Sequence, residues 1–216
     1  MNKKDEKKKC ICNEPLCSKC SSANCQDDSC SIHISDLKLS WAYRRRIIKP
    51  IRHLIQDLFC PNLDIVFCGM AVGKESFRQQ CFYANLGNKF WRALKETGFT
   101  PRQLKPPEYK ELLEYKIGLT DLAKDQCGSD KSIKVTKCHR CIFINEISGY
   151  QPKVLAFNGK KPAKEFLKKH KVDYGEQEEV IGSTKIWVLP STSPAANRYW
   201  EPKYWQDLKF YSKYKV

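Results

Sequence analysis

The segment Leu119-Thr120-Asp121 contains the acid best placed in this chain to do chemistry. It lies between an early glycine-bounded turn, residues 69–73, and a late loop, residues 189–198. A carboxylate held between two such loops can orient a water molecule and stabilise a developing positive charge. The alternative interpretation is structural, because Asp is a common N-cap and a helix beginning at Leu122 would use Asp121 in that way.

Asn158 is a second polar residue in a position that suits recognition. It follows the apolar run 153–157, which its length and β-branching predict to be a buried strand. The side-chain amide offers both a donor and an acceptor to a ligand. The alternative is a turn residue, because Asn158-Gly159 is a strong turn signal by itself.

The late loop contains side chains that suit an anionic partner. Ser191, Thr192 and Ser193 are hydroxyl donors, and donors of this kind bind phosphate oxygens and set register rather than sequence. Asn197 and Arg198 follow them. An ordinary surface loop is the alternative for this segment.

The N-terminal segment, residues 1–35, is rich in Lys and Cys and has few large apolar residues, so it cannot bury a core alone. Cys17-Ser18-Lys19-Cys20 has the two-residue gap of a zinc knuckle, and a metal would provide the folding energy that the segment lacks. We expect Cys10, Cys12, Cys17 and Cys20 to be the ligands of a structural zinc. An iron–sulfur cluster and a disordered thiol-rich tail are the alternatives.

Elements that would position the acid and the amide follow from periodicity. Residues 36–60 have the apolar spacing of an amphipathic helix, and 61–216 form the main domain. Apolar runs at 64–68, 153–157 and 185–189 predict strands, and the segments between them predict helices. This alternation predicts an α/β fold of three layers, α/β/α, with a central, mainly parallel sheet. The site then lies beyond the carboxyl ends of the strands.

The charge of the chain favours a polyanionic partner. It has 39 Lys+Arg against 24 Asp+Glu, a formal net charge of +15, and such an excess speeds encounter with phosphates. Solubility alone is the alternative. No run of about 18 apolar residues predicts a membrane span. The basic N-terminus leads into cysteines rather than an apolar core, which is not typical of a secretory signal.

Five short motifs, in this order, resemble the uracil-DNA glycosylase superfamily, and the resemblance covers the chain from Asp64 to Trp205. The similarity looks closest to the mismatch-specific uracil/thymine-DNA glycosylases and their bacterial relatives. The motifs are Val66-Phe67-Cys68-Gly69, Asn88-Lys89-Phe90-Trp91, Gly118-Leu119-Thr120-Asp121-Leu122, Leu155-Ala156-Phe157-Asn158-Gly159-Lys160 and the run from Ile181 to Pro190.

The resemblance implies an enzyme of base excision DNA repair that acts on a base flipped out of double-stranded DNA. Flipping costs a few kcal/mol, least for a mismatched base. It also implies that catalysis needs no cofactor. We expect a monomer with DNA as its partner and no membrane association, located with cellular DNA in the nucleus of a eukaryote or the cytoplasm of a prokaryote.

By the same resemblance, Tyr83 stacks on the extruded base, with Met70 and Ala71 beside it and Asn158 at the base edge. Core packing is the alternative for Tyr83. Mismatch-specific enzymes have Asn where this chain has Ala71, so another residue must position water, and Asp121 resembles the later Asp of some superfamily members. The wedge that fills the stack aligns with Ala195, which is small, so Asn197 or Arg198 would fill the gap.

We therefore expect a monofunctional glycosylase that hydrolyses the N-glycosidic bond of uracil in DNA and leaves an abasic site. No Lys aligns with a Schiff-base nucleophile, so strand cleavage is not expected. Ala71 also motivates a noncatalytic binder of damaged or mismatched DNA, and a hypoxanthine-DNA glycosylase is the third alternative.

Overall fold

A five-stranded sheet forms the centre of the structure, a computed structural model that describes residues 52–212. The strands are β1 (Ile65–Val72), β2 (Ile117–Cys127), β3 (Val154–Asn158), β4 (Gly175–Ile181) and β5 (Thr184–Leu189). Their spatial order is β2-β1-β3-β5-β4. All neighbours are parallel except β4, which pairs antiparallel with β5 at the edge. The predicted mainly parallel α/β sheet is confirmed.

Helices cover both faces of the sheet. Within residues 52–212 the α-helices are α1 (Lys74–Gln79), α2 (Phe90–Glu96), α3 (Lys137–Tyr150), α4 (Lys160–Leu167) and α5 (Lys203–Leu208). The same residues include three 3₁₀ helices, which span Pro106–Tyr115, Pro194–Tyr199 and Lys209–Tyr211. In the described part of the chain, none of the helices has the length and apolar character needed to cross a membrane.

Alternate strand residues supply two separate cores, which is what produces three layers. One core holds Phe67 of β1 with α2 and α5, where Phe67 stacks on Trp205 at 5.3 Å between ring centroids. The other holds Phe157 of β3 with α3 and α4, through Phe143 and Phe166. Odd-numbered residues of β1 and β2 therefore face α2, and even-numbered residues face α3.

Residues 52–60 are not helical, so the helix predicted over 36–60 is wrong for this stretch. Leu58 forms an isolated antiparallel bridge with Leu119, and the Leu54 N–H donates to the Lys124 carbonyl at 3.0 Å. Pairing with the free edge of β2 satisfies backbone groups that a helix would satisfy internally, and it overrides the helical spacing. The rest of that segment, and the four predicted zinc ligands, lie outside the described residues.

Two further interpretations of the sequence, the early turn and the possible helix cap at Asp121, are replaced by strands. The early turn over 69–73 is the last part of β1, followed by Gly73. Asp121 lies in the middle of β2, so no helix begins at Leu122 and the alternative role of a helix cap is wrong. Both predictions failed because glycine and buried polar residues interrupt these runs, which makes a strand resemble a loop.

Candidate active site

A cavity of about 540 Å³ opens at the carboxyl ends of the parallel strands. This is the edge where parallel α/β sheets bind ligands. The residues that line it include members of the early turn (69–73), the late loop (189–198), β2 and β3. The lining includes Gly69, Met70, Ala71, Tyr83, Asp121, Asn158, Ser191, Thr192, Ser193 and Ala195.

Asp121, Gly69 and Asn158 form one row across three neighbouring strands. Gly69 pairs with Asp121, and Cys68 pairs with Phe157, so Asn158 lies one residue further along beside Gly69. A Cβ on Gly69 would come within 2.2 Å of Asp121 Oδ1. Glycine in the middle of the row therefore leaves the space that the Asp121 carboxyl occupies, with an acid on one side and an amide on the other.

Asp121 is buried, with 6% of its surface exposed, and burial raises its pKa to about 7. The Asp57 and Asp130 carboxylates contribute to this rise in the pKa, and the Lys124 ammonium opposes it. A carboxyl that titrates near neutral pH can act as a proton donor or as an ionised base in the same site. This property suits general acid–base work or charge stabilisation.

Tyr83 presents its hydroxyl to this row. Its oxygen lies 3.5 Å from the Cβ that Gly69 would carry, and its ring stacks on Phe90 with centroids 3.9 Å apart. Burial raises the pKa of Tyr83 well above its usual value, the Asp121 carboxylate raises it further, and the Asn158 amide acts in the opposite direction. Tyr83 adopts a left-handed backbone at φ 51°, which is uncommon for an aromatic residue and marks a constrained position.

Asn158 ties the end of β3 to the late loop. Its Nδ2 donates to Thr192 Oγ1 at 2.8 Å, and its Oδ1 accepts from the Thr192 N–H at 2.9 Å. A side-chain amide has two donor hydrogens and two acceptor lone pairs, so one of each remains for a ligand in the cavity. Thr192 has no exposed surface. The Thr192 hydroxyl accepts from Asn158, so its predicted contact with phosphate stays a prediction.

Met70 and Ala71 lie in β1 where the strand extends past its β3 partner. The β1–β3 register ends at Cys68, whereas the pairing of β1 with β2 continues to Val72. Among the described residues, backbone groups of residues 69–71 on the β3 side therefore have no strand partner, whereas the Val72 carbonyl accepts from the Gly128 N–H at 3.0 Å. Such groups can hydrogen-bond a ligand without any help from the Ala71 side chain.

The rest of the late loop lies at the rim of the cavity. Ser191 and Ser193 are half-buried, and the Ser193 N–H donates to Ser191 Oγ at 3.2 Å. Asn197 and Arg198 are exposed on the 3₁₀ helix Pro194–Tyr199 but do not line the cavity. The Arg198 guanidinium lies over the Tyr199 ring, 4.6 Å from its centroid.

The segment after β2 contributes lining residues that sequence reasoning missed, namely Ser129, Asp130 and Lys131. Partial burial raises the pKa of Asp130, and the Lys161 ammonium, which donates to the Asp130 carbonyl, lowers it. The polar composition of 128–131 is typical of any surface loop and does not indicate a site. Only the structure, in which this loop returns over the ends of the strands, shows that these residues line the cavity.

A buried charged cluster lies on the opposite face of β2 from Asp121. Lys124 Nζ binds Asp57 at 2.5 Å and Glu146 at 3.1 Å. Among the described residues, His53, Asp57 and Glu146 bring ligand atoms within 4.8 Å of one another, as a metal would require. The Lys124 ammonium already binds both carboxylates, however, so this cluster serves as an ion-pair network.

Comparisons with known proteins identify the fold and the family of this chain. The solution NMR structure of a candidate uracil DNA glycosylase from Methanosarcina acetivorans matches with a TM-score of 0.51 and 22% sequence identity, covering 73% of this chain and 94% of that chain. That likeness supports the fold. The sequence matches the uracil DNA glycosylase superfamily over residues 56–209, more than two thirds of its length. The chain therefore belongs to the uracil DNA glycosylase superfamily.

Proposed function

We propose that this protein is a monofunctional DNA glycosylase that removes uracil from double-stranded DNA and leaves an abasic site. One observation carries the proposal: in a chain of this superfamily, Asp121, Tyr83 and Asn158 meet in a single cavity. Membership of the superfamily supports a DNA repair function by glycosylase chemistry in general. The preference for uracil, for a mismatched partner base and for duplex DNA is the finer part of the proposal.

The chemistry assigns a role to each side of the cavity. As the N-glycosidic bond breaks, its electron pair leaves with the base and the sugar becomes oxocarbenium-like. Ionised Asp121 stabilises that positive charge and orients the attacking water. The water oxygen bonds to the sugar carbon, and the proton that the water loses passes to the Asp121 carboxylate. The remaining donor and acceptor of Asn158 read the base edge, which in uracil presents a carbonyl beside an N–H. The Tyr83 ring, supported by Phe90, provides the stacking surface.

A base-release assay tests the proposal. Labelled duplexes containing uracil, thymine opposite guanine, or hypoxanthine are incubated with the protein and then treated with hot alkali, which cleaves at abasic sites. We expect cleavage at uracil. Asp121→Asn and Asp121→Ala should lower the single-turnover rate by about 100-fold or more, the scale of a positioned acid or base. Asp207→Asn is the control, since Asp207 is exposed on the outer side of α5 and does not line the cavity.

The pH profile separates the proposed role of Asp121 from a purely structural one. Because the ionised carboxylate is the active form, the single-turnover rate should rise with pH through about 7, where Asp121 titrates, and then level off. Asp121→Asn should remove this rise. Wild-type rates in both Asp121 variants would show that another group does the chemistry.

Noncatalytic binding of damaged or mismatched DNA is the second candidate function. Ala71 supports it, since this cavity residue has no side chain that could position water. The same assay distinguishes the two, because a binder retains the label in shifted but intact DNA. Cleavage only at hypoxanthine would keep the glycosylase class and change the base.

A further inference from the structure

Leu86 is an apolar side chain held fully in solvent beside the cavity. Its exposure, 103%, equals that of a Leu in an extended peptide. It lies at the tip of a tight turn in which Asn85 Oδ1 accepts from the Gly87 N–H at 2.9 Å and the Asn85 carbonyl accepts from the Asn88 N–H at 2.8 Å. Asn85 and Asn88 both line the cavity, so the turn forms part of its rim.

The turn is held against the late loop. A Cβ on Gly87 would come within 2.9 Å of Pro194 Cγ, and the Lys89 N–H donates to the Thr192 carbonyl at 2.9 Å. Thr192 is in turn bound to Asn158. A chain of contacts thus connects the cavity interior to Leu86, which fixes where this side chain projects.

Lysines lie around the cavity whose rim this turn forms, together with the lining acids Asp121 and Asp130. Lys131 and Lys161 line the same cavity, and the Lys89 ammonium lies over the Trp200 ring, 5.5 Å from its centroid. An apolar tip near these lysines matches a surface that has phosphates outside and stacked bases inside. Proteins that open a duplex commonly insert an apolar wedge such as Leu between base steps.

We propose that Leu86 is the wedge that enters the base stack of duplex DNA when the target nucleotide moves into the cavity. The proposal rests on the proposed function. Ala195 is too short to fill the gap, and Asn197 and Arg198, which the sequence predicted to fill it, do not line the cavity. The proposal therefore places the wedge on the early wall of the cavity rather than on the late loop.

Three uracil substrates test the wedge: a duplex, the same strand alone, and a duplex with a pyrene nucleotide opposite uracil. Leu86→Ala should lower the single-turnover rate on the ordinary duplex by about tenfold or more, because stacking then opposes extrusion. The rate on the single strand should not change, since it has no duplex to open. Pyrene fills the stack itself and should restore the rate of Leu86→Ala.

Phe210→Ala provides the matched control. Phe210 is 87% exposed, and its neighbour Tyr211 binds Lys185 near the amino end of β5, away from the cavity. This variant should behave as wild type on all three substrates. An equal loss on duplex and single strand in Leu86→Ala, or no loss on either, would overturn the wedge. Self-association that depends on Leu86, with unchanged DNA behaviour, would assign the side chain to a protein contact instead and also overturn it.

A second readout keeps the wedge separate from catalysis. A duplex with 2-aminopurine beside non-hydrolysable 2′-fluoro-deoxyuridine becomes fluorescent when the stack opens. Wild-type protein should raise the fluorescence, and Leu86→Ala should not. If no substrate loses its base but this difference remains, the proposed hydrolysis fails and the wedge holds. Equal fluorescence with both proteins would reject the wedge whatever the catalytic result.

Discussion

Asp121 combines a buried position with a charge that the proposed chemistry requires. Ionisation of a buried carboxyl is unfavourable, which is why burial raises its pKa to about 7 from an ordinary 3.8. The folded state therefore holds a proton that the unfolded chain releases. Stability from the protonated form is complete below about pH 4, falls as pH rises, and is lost above about pH 7.

We expect Asp121→Asn to be more stable than wild type in alkaline solution. Asn cannot ionise, so the variant escapes the cost of a buried charge, which for a pKa near 7 is at most about 4 kcal/mol. Urea unfolding from pH 4 to 9 measures the difference in free energy of unfolding. It should grow between pH 4 and 7 and stay constant above. A difference independent of pH would mean that Asp121 titrates normally in the folded protein.

Some residues of the site could be predicted from the sequence and others could not. Asp121 and Asn158 belong to motifs in a recognisable order, Tyr83 follows from the same family resemblance, and the structure brings the three residues together. Their roles remain proposals. The engagement of Asn158 by Thr192 and the approach of Asp130 depend on loops meeting across more than 30 positions, and no local pattern encodes such contacts.

At the scale of elements, the bond pair between Asn158 and Thr192 fixes the late loop to β3. Asn158→Ala and Thr192→Val should each lower the free energy of unfolding by about 1–3 kcal/mol, because each leaves a buried polar partner unsatisfied. The double variant should lose less than the sum, and urea unfolding of all four proteins measures this coupling. Additive losses would show that the two side chains act independently.

Lys124 joins three parts of the structure, since it lies in β2 and binds Asp57 of the stretch 52–60 and Glu146 of α3. Burial alone would lower its pKa, but the two carboxylates raise it above the usual value. Lys124→Met leaves both carboxylates without their cation and should destabilise the protein by about 3–5 kcal/mol in thermal or urea unfolding. Adding Asp57→Asn should recover part of the loss. Destabilisation under 1 kcal/mol would contradict the network.

The strands that sequence reasoning missed share a physical cause. In β2, buried Thr120, Asp121 and Lys124 interrupt the apolar run that usually reveals a central strand. In β4, an edge strand that begins at Gly175, four consecutive residues, Glu176–Glu179, are polar. The buried strands β1, β3 and β5 were predicted, because parallel strands covered on both faces are continuously apolar. Polar residues inside an element hide it, and here they also surround the site.

For the whole molecule, the net charge of +15 should dominate affinity for DNA. Each phosphate contact that a cation makes adds about 0.9 to the slope of log affinity against log salt concentration in duplex DNA. Lys131→Gln, in the cavity lining, should lower that slope by about one. Lys203→Gln, at an exposed position of α5 outside the cavity lining, should leave it unchanged. Fluorescence anisotropy at several salt concentrations gives both slopes. Equal slopes for Lys131→Gln and wild type would remove Lys131 from the DNA contact.

The location of Asp121 within a strand has a consequence for engineering this protein. The backbone that carries the Asp121 carboxyl is held from both edges of β2. The hydrogen bonds to β1 hold one edge, and the segment that pairs at Leu58 holds the other. Residues 85–88 and 193–198, by contrast, belong to connections whose composition can be varied while Thr192 keeps the late loop bound to Asn158. Directed evolution can therefore retarget the molecule to other lesions by diversifying those connections, while the reactive group keeps its place.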